Sequence, residues 1–182
     1  MAIVNSDMLD FGLDEIRRSP VDQGVVELIV RRPAENEREV LAEGLLDLEH
    51  GLRGDSWRGR GSGRTADGST DFAAQVTVMN ARVIALLAGG RERWPLAGDQ
   101  LYVDLDLSIE NLPPGARLAV GTAVLEVSAA PHTGCAKFSA RFGSEAIRFV
   151  NSPVGRALRL RGMNTRVVES GHVRYGDVLR KL

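Results

Sequence analysis

The second half of the chain consists of short apolar runs separated by glycine and proline turns. LYVDLDL, RLAV and TAVLEV follow one another after residue 98, with NLPPG and the pair Gly121-Thr122 between them. Short β-branched runs bounded by such turns predict strands, and a two-residue link predicts a hairpin. The ending, NTRVVESG and then HVRYGDVLRKL, predicts further strands joined at Ser170-Gly171. This pattern favours a mainly β fold, a β-barrel with flanking helices.

The first half mixes helical and extended patterns. Residues 7–18 predict a short helix that ends at Ser19-Pro20, because the residue before a proline avoids helical geometry. Residues 36–49 have apolar side chains at helical spacing and predict a second helix, although Gly44 weakens it. The other predicted elements are strands over 24–33 and 75–79, a helix over 81–87 capped by Asn80 and stopped by Gly89-Gly90, a helix over 144–150 capped by Ser144, and a helical turn over 155–160.

Length and charge limit the class of protein. A chain of 182 residues predicts one domain over 1–182, and its net charge of −1 argues against a nucleic-acid binder, whose domain would be basic. The N-terminus is acidic where a signal peptide is basic, and no apolar run reaches the ~18 residues of a membrane span. We therefore expect a cytoplasmic protein that binds neither nucleic acid nor membranes.

Residues 50–71 form a long polar loop, HGLRGDSWRGRGSGRTADGSTD, inside an otherwise apolar pattern. Loops of this length are usually functional or disordered. Two interpretations stay open: a flexible connection, or an anion-binding loop in which glycine amides and arginines act together. The arginines are Arg53, Arg58, Arg60 and Arg64.

The single cysteine, Cys135, excludes an internal disulfide and a four-cysteine zinc site. It lies in PHTGCAKF, where His132 and Lys137 flank it. Cationic neighbours favour the thiolate, which is the nucleophile and the metal ligand. The alternative is a small buried hydrophobic residue. Further along the chain, Arg161 and Asn164 suit recognition of an oxyanion, although turn chemistry explains them equally well.

The ordered set of motifs resembles the MOSC family, the domain found at the C-terminus of molybdenum cofactor sulfurases and as stand-alone bacterial proteins. The matching segments are GLRGDSW at 51–57, QVTVMNARVIAL at 75–86, the segment 97–127 that begins AGDQLYVDLDL, Cys135, and LRGMNTRVVESGHVRYGDVL at 160–179. They define a family-like core over about 22–181, with an N-terminal extension over about 1–21. Two departures stand out: Gly134 precedes the cysteine where many relatives have proline, and Gln100-Leu101 replaces an asparagine-rich segment.

The resemblance implies a barrel-like fold and a functional cysteine at Cys135, which would ligate molybdenum in a reductase. A soft thiolate suits such a metal. His132, which flanks the cysteine in the sequence, is the second candidate catalytic residue. Candidate residues for binding the molybdenum cofactor, assigned by their chemistry, are Arg53, Asp55, Arg58, Arg60, Arg64, Thr133, Lys137, Arg161 and Asn164. Pyridoxal phosphate is not expected, because it needs a Schiff-base lysine and Lys137 is the only interior one.

Three functions therefore compete. The first is a molybdenum-dependent oxidoreductase acting on a small-molecule substrate. The second is a sulfur carrier or transferase with a persulfide on Cys135. The third is a non-catalytic module that binds the molybdenum cofactor. One cysteine and no dinucleotide fingerprint leave the chain without its own electron carrier, so we expect a partner protein that donates electrons or sulfur.

Overall fold

The computed structural model describes residues 6–182. Its helices are α1 (Ser6–Arg17), α2 (Ala81–Ala88), α3 (Ala136–Phe142), α4 (Ser144–Asn151) and α5 (Pro153–Ala157). Its strands are β1 (Gln23–Arg31), β2 (Glu39–Leu41), β3 (Glu43–Asp47), β4 (Gly51–Leu52), β5 (Val76–Asn80), β6 (Leu101–Asp104), β7 (Arg117–Val120), β8 (Ala123–Val127), β9 (Met163–Glu169), β10 (Gly171–Arg174) and β11 (Val178–Lys181). Short 3₁₀ turns cover Ser56–Gly59, Phe72–Ala74 and Arg91–Ala97.

Seven strands close into a barrel, which confirms the predicted fold class. They follow the order β11, β7, β8, β9, β5, β6, β1, and β11 then pairs with β1 to complete the ring. Closure removes the free strand edges at which open sheets aggregate. β2 extends β1 outside the ring, with Val30 opposite Val40. The hairpin predicted about Gly121-Thr122 is the β7–β8 pair.

Two apolar cores lie on the two sides of the barrel wall. Side chains such as Ile29, Val103 and Leu125 fill the interior. Outside, Tyr102 and Met79 pack beneath helices together with Ile84, Phe138 and other helical side chains. A strand that is covered on both faces has a nearly continuous run of apolar residues, which is why β1 and β6 lack a strict alternation of apolar and polar side chains.

The predicted helix over 36–49 is wrong. The structure has β2 and β3 there, and β10, β3 and β4 form a separate three-stranded sheet. Gly44 and Leu46 are the buried positions of β3, which is the two-residue period of a strand. A Cβ at Gly44 would lie 2.6 Å from Leu52 Cδ1, so Leu52 packs directly against the glycine. Tertiary packing thus overrides the local helical spacing.

The helices predicted over 7–18, 81–87 and 144–150 are confirmed, with one change of cap, whereas the turn predicted over 155–160 is helical only to Ala157, in α5. Asn80 caps α2 by accepting from the amides of Arg82 and Val83, and Gly89 ends the helix in the left-handed region at φ 75°. Gly143 precedes α4, so Ser144 is its first residue rather than its cap. Helix α1, in the predicted N-terminal extension, buries Ile16.

Candidate functional site

The segment that carries Cys135 leaves the barrel after β8 and runs to α3. Asn164, on β9, holds its first part by donating to the carbonyls of Ala130 and Pro131 at 3.1 and 3.2 Å. Asn151 holds its second part, since the Asn151 amide group exchanges two hydrogen bonds with Gly134. Cys135 then precedes α3 with an exposed thiol that makes no capping hydrogen bond. The thiol is thus presented to solvent by a segment fixed at both ends.

A buried ion-pair network lies behind this segment. The carboxylate of Asp99 is fully buried and accepts from His132 Nε2 at 2.8 Å and from Arg161 Nη1 at 2.6 Å. Arg161 also donates to the carbonyl of Ala97 and stacks on the ring of Phe138, in α3. The network therefore links His132 to the helix that begins after Cys135.

The protonation state of this network follows from its burial. Burial opposes the charge of Asp99, but Arg161 and His132 outweigh it and hold the pKa of Asp99 at about 2. Burial and the nearby Arg161 charge lower the pKa of His132, so the imidazole is neutral at pH 7. Since an ionised carboxylate only accepts, His132 carries its proton on Nε2 and a free lone pair on Nδ1. Nδ1 can therefore accept a proton.

A second feature, which we call the basic pocket, opens beside Gly98 with a volume of about 340 Å³. Its five cationic residues are Arg32, Arg38, Arg60, Lys137 and Arg141. The loop between β1 and β2, the loop after β4, and helix α3 supply them. Arg32 also donates to the carbonyl of Gly98, the residue before Asp99, so the pocket and the buried network share one backbone segment.

The charges in the basic pocket are only partly compensated. Arg32 forms a two-pronged pair with buried Asp55, and Lys137 pairs with Glu35 at 2.7 Å. Arg38 and Arg141 donate instead to neutral acceptors: Arg38 to two backbone carbonyls, Arg141 to the carbonyl of Leu96 and the side chain of Asn36. Burial lowers the pKa of Arg38, and the neighbouring charge of Arg141 lowers it further. An anion in this pocket would relieve that repulsion.

The structure separates the four predicted loop arginines. Arg53 pairs with Asp47, and Arg58 stacks over Phe72. Arg64 reaches the Cys135 segment by donating to the carbonyl of Pro131 at 3.2 Å. Only Arg60 lines the basic pocket. Asp55, predicted as a cofactor residue, pairs with Arg32 and caps the turn at Trp57.

The remaining predicted residues fall on both sides of the Cys135 segment. Lys137 lines the basic pocket, while Thr133 is exposed and lines a cavity on the other side. Arg161 and Asn164 are buried and bonded to the protein, where they position the segment. The cofactor roles assigned to these residues stay predictions.

Sequence reasoning missed four residues of the site: Asp99, Arg32, Arg38 and Arg141. Asp99 lies in the Gly-Asp turn that contributed to the family resemblance, which is the one signal that could have identified it. The three arginines are far apart in the sequence and meet only in the folded protein. The carboxylates of Asp104 and Asp106 are not part of the site, since Asp104 pairs with Arg82 and Asp106 accepts from Ser108.

A scan against protein-family models matches the MOSC domain over residues 71–180, more than half of the chain. The chain belongs to the MOSC domain family. MOSC domains are associated with binding of the molybdenum cofactor. No curated protein sequence matches this MOSC chain significantly.

Solved structures share the MOSC chain's fold. The YuaD protein from Bacillus subtilis matches with a TM-score of 0.65 and 18% identity, covering 86% of this chain and 94% of its own. YiiM from Escherichia coli matches with a TM-score of 0.56 and 18% identity, covering 87% and 69%. YiiM from Geobacillus stearothermophilus gives 0.53 and 14%, covering 90% and 74%. Over residues 6–182, no helix has the length and apolar character needed to cross a membrane.

Proposed function

We propose that this MOSC domain binds a molybdenum cofactor, with the Cys135 thiolate as a metal ligand, and acts as a reductase of a small molecule. The observation that carries the proposal is that the exposed Cys135 directly precedes α3, the helix that supplies Lys137 and Arg141 to the basic pocket. Lys137, two residues further on, lines that pocket together with Arg38 and Arg141. A soft thiolate and part of an anion cradle thus belong to one short segment of the chain.

The donor set fits a metal that brings its own ligands. Within residues 6–182, no cluster of three or more His, Cys, Asp or Glu side chains could hold a metal ion. Cys135 would therefore supply one soft ligand, and the cofactor would supply the others.

The basic pocket fits a phosphate group. Planar guanidinium groups bind phosphate through paired hydrogen bonds, and Arg38 and Arg141 have no carboxylate partner in the described chain to displace. Their side chains approach each other over Gly98, where a Cβ would lie 3.6 Å from Arg38 Nη2 and 3.9 Å from Arg141 Nη1. Gly98 has φ 89°, a left-handed backbone that favours glycine at this position.

The cofactor, when bound, supplies two-electron redox chemistry. The chain's own contribution to catalysis is proton management and orientation. His132 accepts a proton at Nδ1, and Asp99 fixes the tautomer by accepting from Nε2. Since the chain has one cysteine and cannot ligate an iron–sulfur cluster with four, a separate electron-donor protein is part of the proposal.

The proposal is tested by metal analysis of protein expressed with a sufficient cofactor supply. We expect close to one molybdenum per chain, lost in Cys135→Ser. In the double variant Arg38→Gln, Arg141→Gln we expect retention weakened about 10–100-fold per arginine, the usual effect of losing a charged hydrogen bond. Arg117→Gln is the matched control, because Arg166 still pairs with the shared partner Glu126.

The outcomes separate the competing functions. Wild-type protein without molybdenum would contradict the proposal. Cofactor retained by Cys135→Ser but lost in the arginine variant would instead favour the non-catalytic binding module. Turnover of an N-hydroxylated substrate with an added electron-donor protein would establish the reductase activity.

The exposure of Cys135 also supports a second candidate, sulfur transfer. The Cys135 thiolate would attack the outer sulfur of a donor protein's cysteine persulfide, forming the new S–S bond and releasing the donor's thiolate. Mass spectrometry after incubation with such a donor should then show an addition of one sulfur atom that dithiothreitol removes. Its absence would exclude this function.

A further inference from the structure

A separate cavity lies on the other side of the Cys135 segment. Its volume is about 230 Å³, smaller than the roughly 300–1,000 Å³ of sites for drug-sized ligands. The backbone from Ser128 to Thr133 forms one wall. Apolar side chains, Ile109, Pro114, Val150 and Met163, form most of the remainder. The cavity therefore suits a small ligand with an apolar body.

Two arginines, Arg156 and Arg159, give this cavity a positive charge that the protein does not neutralise. Arg159 donates through Nη1 to the carbonyls of Leu107 and Leu112, and its Nε and Nη2 have no acceptor in residues 6–182. Arg156 donates through Nε to the carbonyl of Asn151. Neither guanidinium pairs with a carboxylate of the described chain. Burial lowers the pKa of Arg159, so its charge lies in an unfavourable environment.

The backbone of Arg159 adds an independent observation. Arg159 has φ 49°, in the left-handed region that favours glycine, just after the end of α5. An arginine costs about tenfold in the folding equilibrium relative to glycine at such a position. Strained residues of this kind concentrate at functional sites. The Leu160 amide closes the end of α5 by donating to the Gly155 carbonyl at 2.8 Å, and at this turn an arginine rather than a glycine lines the cavity.

We propose that this cavity binds a small organic carboxylate. Its carboxylate pairs with the free guanidinium donors of Arg159 and Arg156, and its apolar part packs against Val150 and Met163. A carboxylate compensates the half-buried charge of Arg159 and matches the planar guanidinium group. Inorganic anions lack the apolar part that most of the wall would contact.

This subsite goes beyond the proposed cofactor binding and does not depend on it. His132 and Thr133 line the cavity, so a bound acid contacts the segment that ends at Cys135. The basic pocket lies elsewhere, beside Gly98 and Lys137. Binding can therefore be measured on the full chain without any metal, and failure here leaves the molybdenum test unaffected.

The test is a two-dimensional amide NMR titration of the full chain with phenylacetate, its neutral analogue phenylacetamide, and inorganic phosphate. We expect phenylacetate to bind with a dissociation constant below about 1 mM. The chemical-shift changes that phenylacetate causes should be largest at the amides of Gly162 and Met163. Phenylacetamide should bind at least about tenfold more weakly, because it cannot form the charged pair.

Arg159→Gly is the decisive variant, since glycine favours the left-handed backbone that Arg159 adopts. We expect it to weaken phenylacetate at least tenfold, with a smaller effect for Arg156→Gln. Arg148→Gln is the control, because Arg148 is exposed on α4 and pairs with Glu145. The amide spectrum of each variant verifies folding, and Arg156→Gln keeps the test valid if Arg159→Gly does not fold.

Five results would overturn the inference, four of them with phenylacetate or its analogue. These are no phenylacetate binding, shifts centred on Gly98 in the basic pocket, equal affinity for phenylacetamide, and unchanged affinity in both arginine variants. Binding of phosphate with shifts at Gly162 would also contradict it, since the site would then be a general anion site.

Discussion

Replacing Asp99 by asparagine tests the buried network quantitatively. Asp99→Asn keeps the shape of the side chain but removes the charge that faces Arg161 and His132. Lowering the pKa of Asp99 from its ordinary 3.8 to about 2 corresponds to about 2–3 kcal/mol of stabilisation. Breaking a buried pair and leaving one charge uncompensated costs about 3–5 kcal/mol. We expect a loss of about 3 kcal/mol in the free energy of unfolding.

Urea denaturation at pH 6 measures this loss, and Asp104→Asn is the matched control. Asp104 also pairs with an arginine, Arg82, but this pair is partly exposed. Its loss should cost about 1 kcal/mol or less. Equal destabilisation by the two variants would refute the argument that burial gives the Asp99 network its strength.

The pH dependence gives the same prediction an independent check. Because folding lowers the pKa of Asp99, its stabilisation is complete well above pH 3.8 and is lost as the pH falls through about 2. The difference in the free energy of unfolding between the wild type and Asp99→Asn should therefore be about 1 kcal/mol smaller at pH 3 than at pH 6. A gap that stays constant over this range would show that the carboxylate charge is not responsible.

Three further substitutions test the fold, each by urea denaturation. Asn80→Ala removes the cap of α2 and a buried hydrogen bond to the carbonyl of Leu105, and should cost about 2–3 kcal/mol. Gln75→Met leaves a buried strand amide without its acceptor and should cost about 2 kcal/mol or more. Gly171→Ala places a Cβ 2.3 Å from a backbone carbon and should cost more than 2 kcal/mol, whereas Gly63→Ala, with open space around it, should be nearly neutral.

The elements that the sequence predicts correctly are those with local signals. The cap at Asn80, the turn at Gly121 and the break at Pro20 each act within a few residues. The helix predicted over 36–49 is wrong because β3 pairs with β10, which lies far along the chain, and with the two-residue strand β4. The packing of Leu52 against Gly44 exists only once these strands have paired. Strand pairing of this kind is a tertiary effect that local spacing does not encode.

Part of the candidate site could likewise be predicted from the sequence, and part could not. His132, Cys135 and Lys137 are neighbours in the sequence, so their pattern is visible there. The basic pocket is not, because Arg38 and Arg141 are about a hundred residues apart and meet only when α3 packs near the β1–β2 hairpin. The arginines between Arg53 and Arg64 form a cluster in the sequence, but in the folded protein they contact different partners.

The segment that carries Cys135 begins and ends at neighbouring positions on the barrel. Residues 128–162 leave the barrel after β8 and return to it at β9, where the Ser128 amide donates to the Asn164 carbonyl at 3.0 Å. An excursion whose ends already meet can change in length or sequence at little entropic cost to the rest of the chain. The barrel and the Cys135 segment can therefore vary independently, except where Asp99, outside the segment, accepts hydrogen bonds from His132 and Arg161 within it.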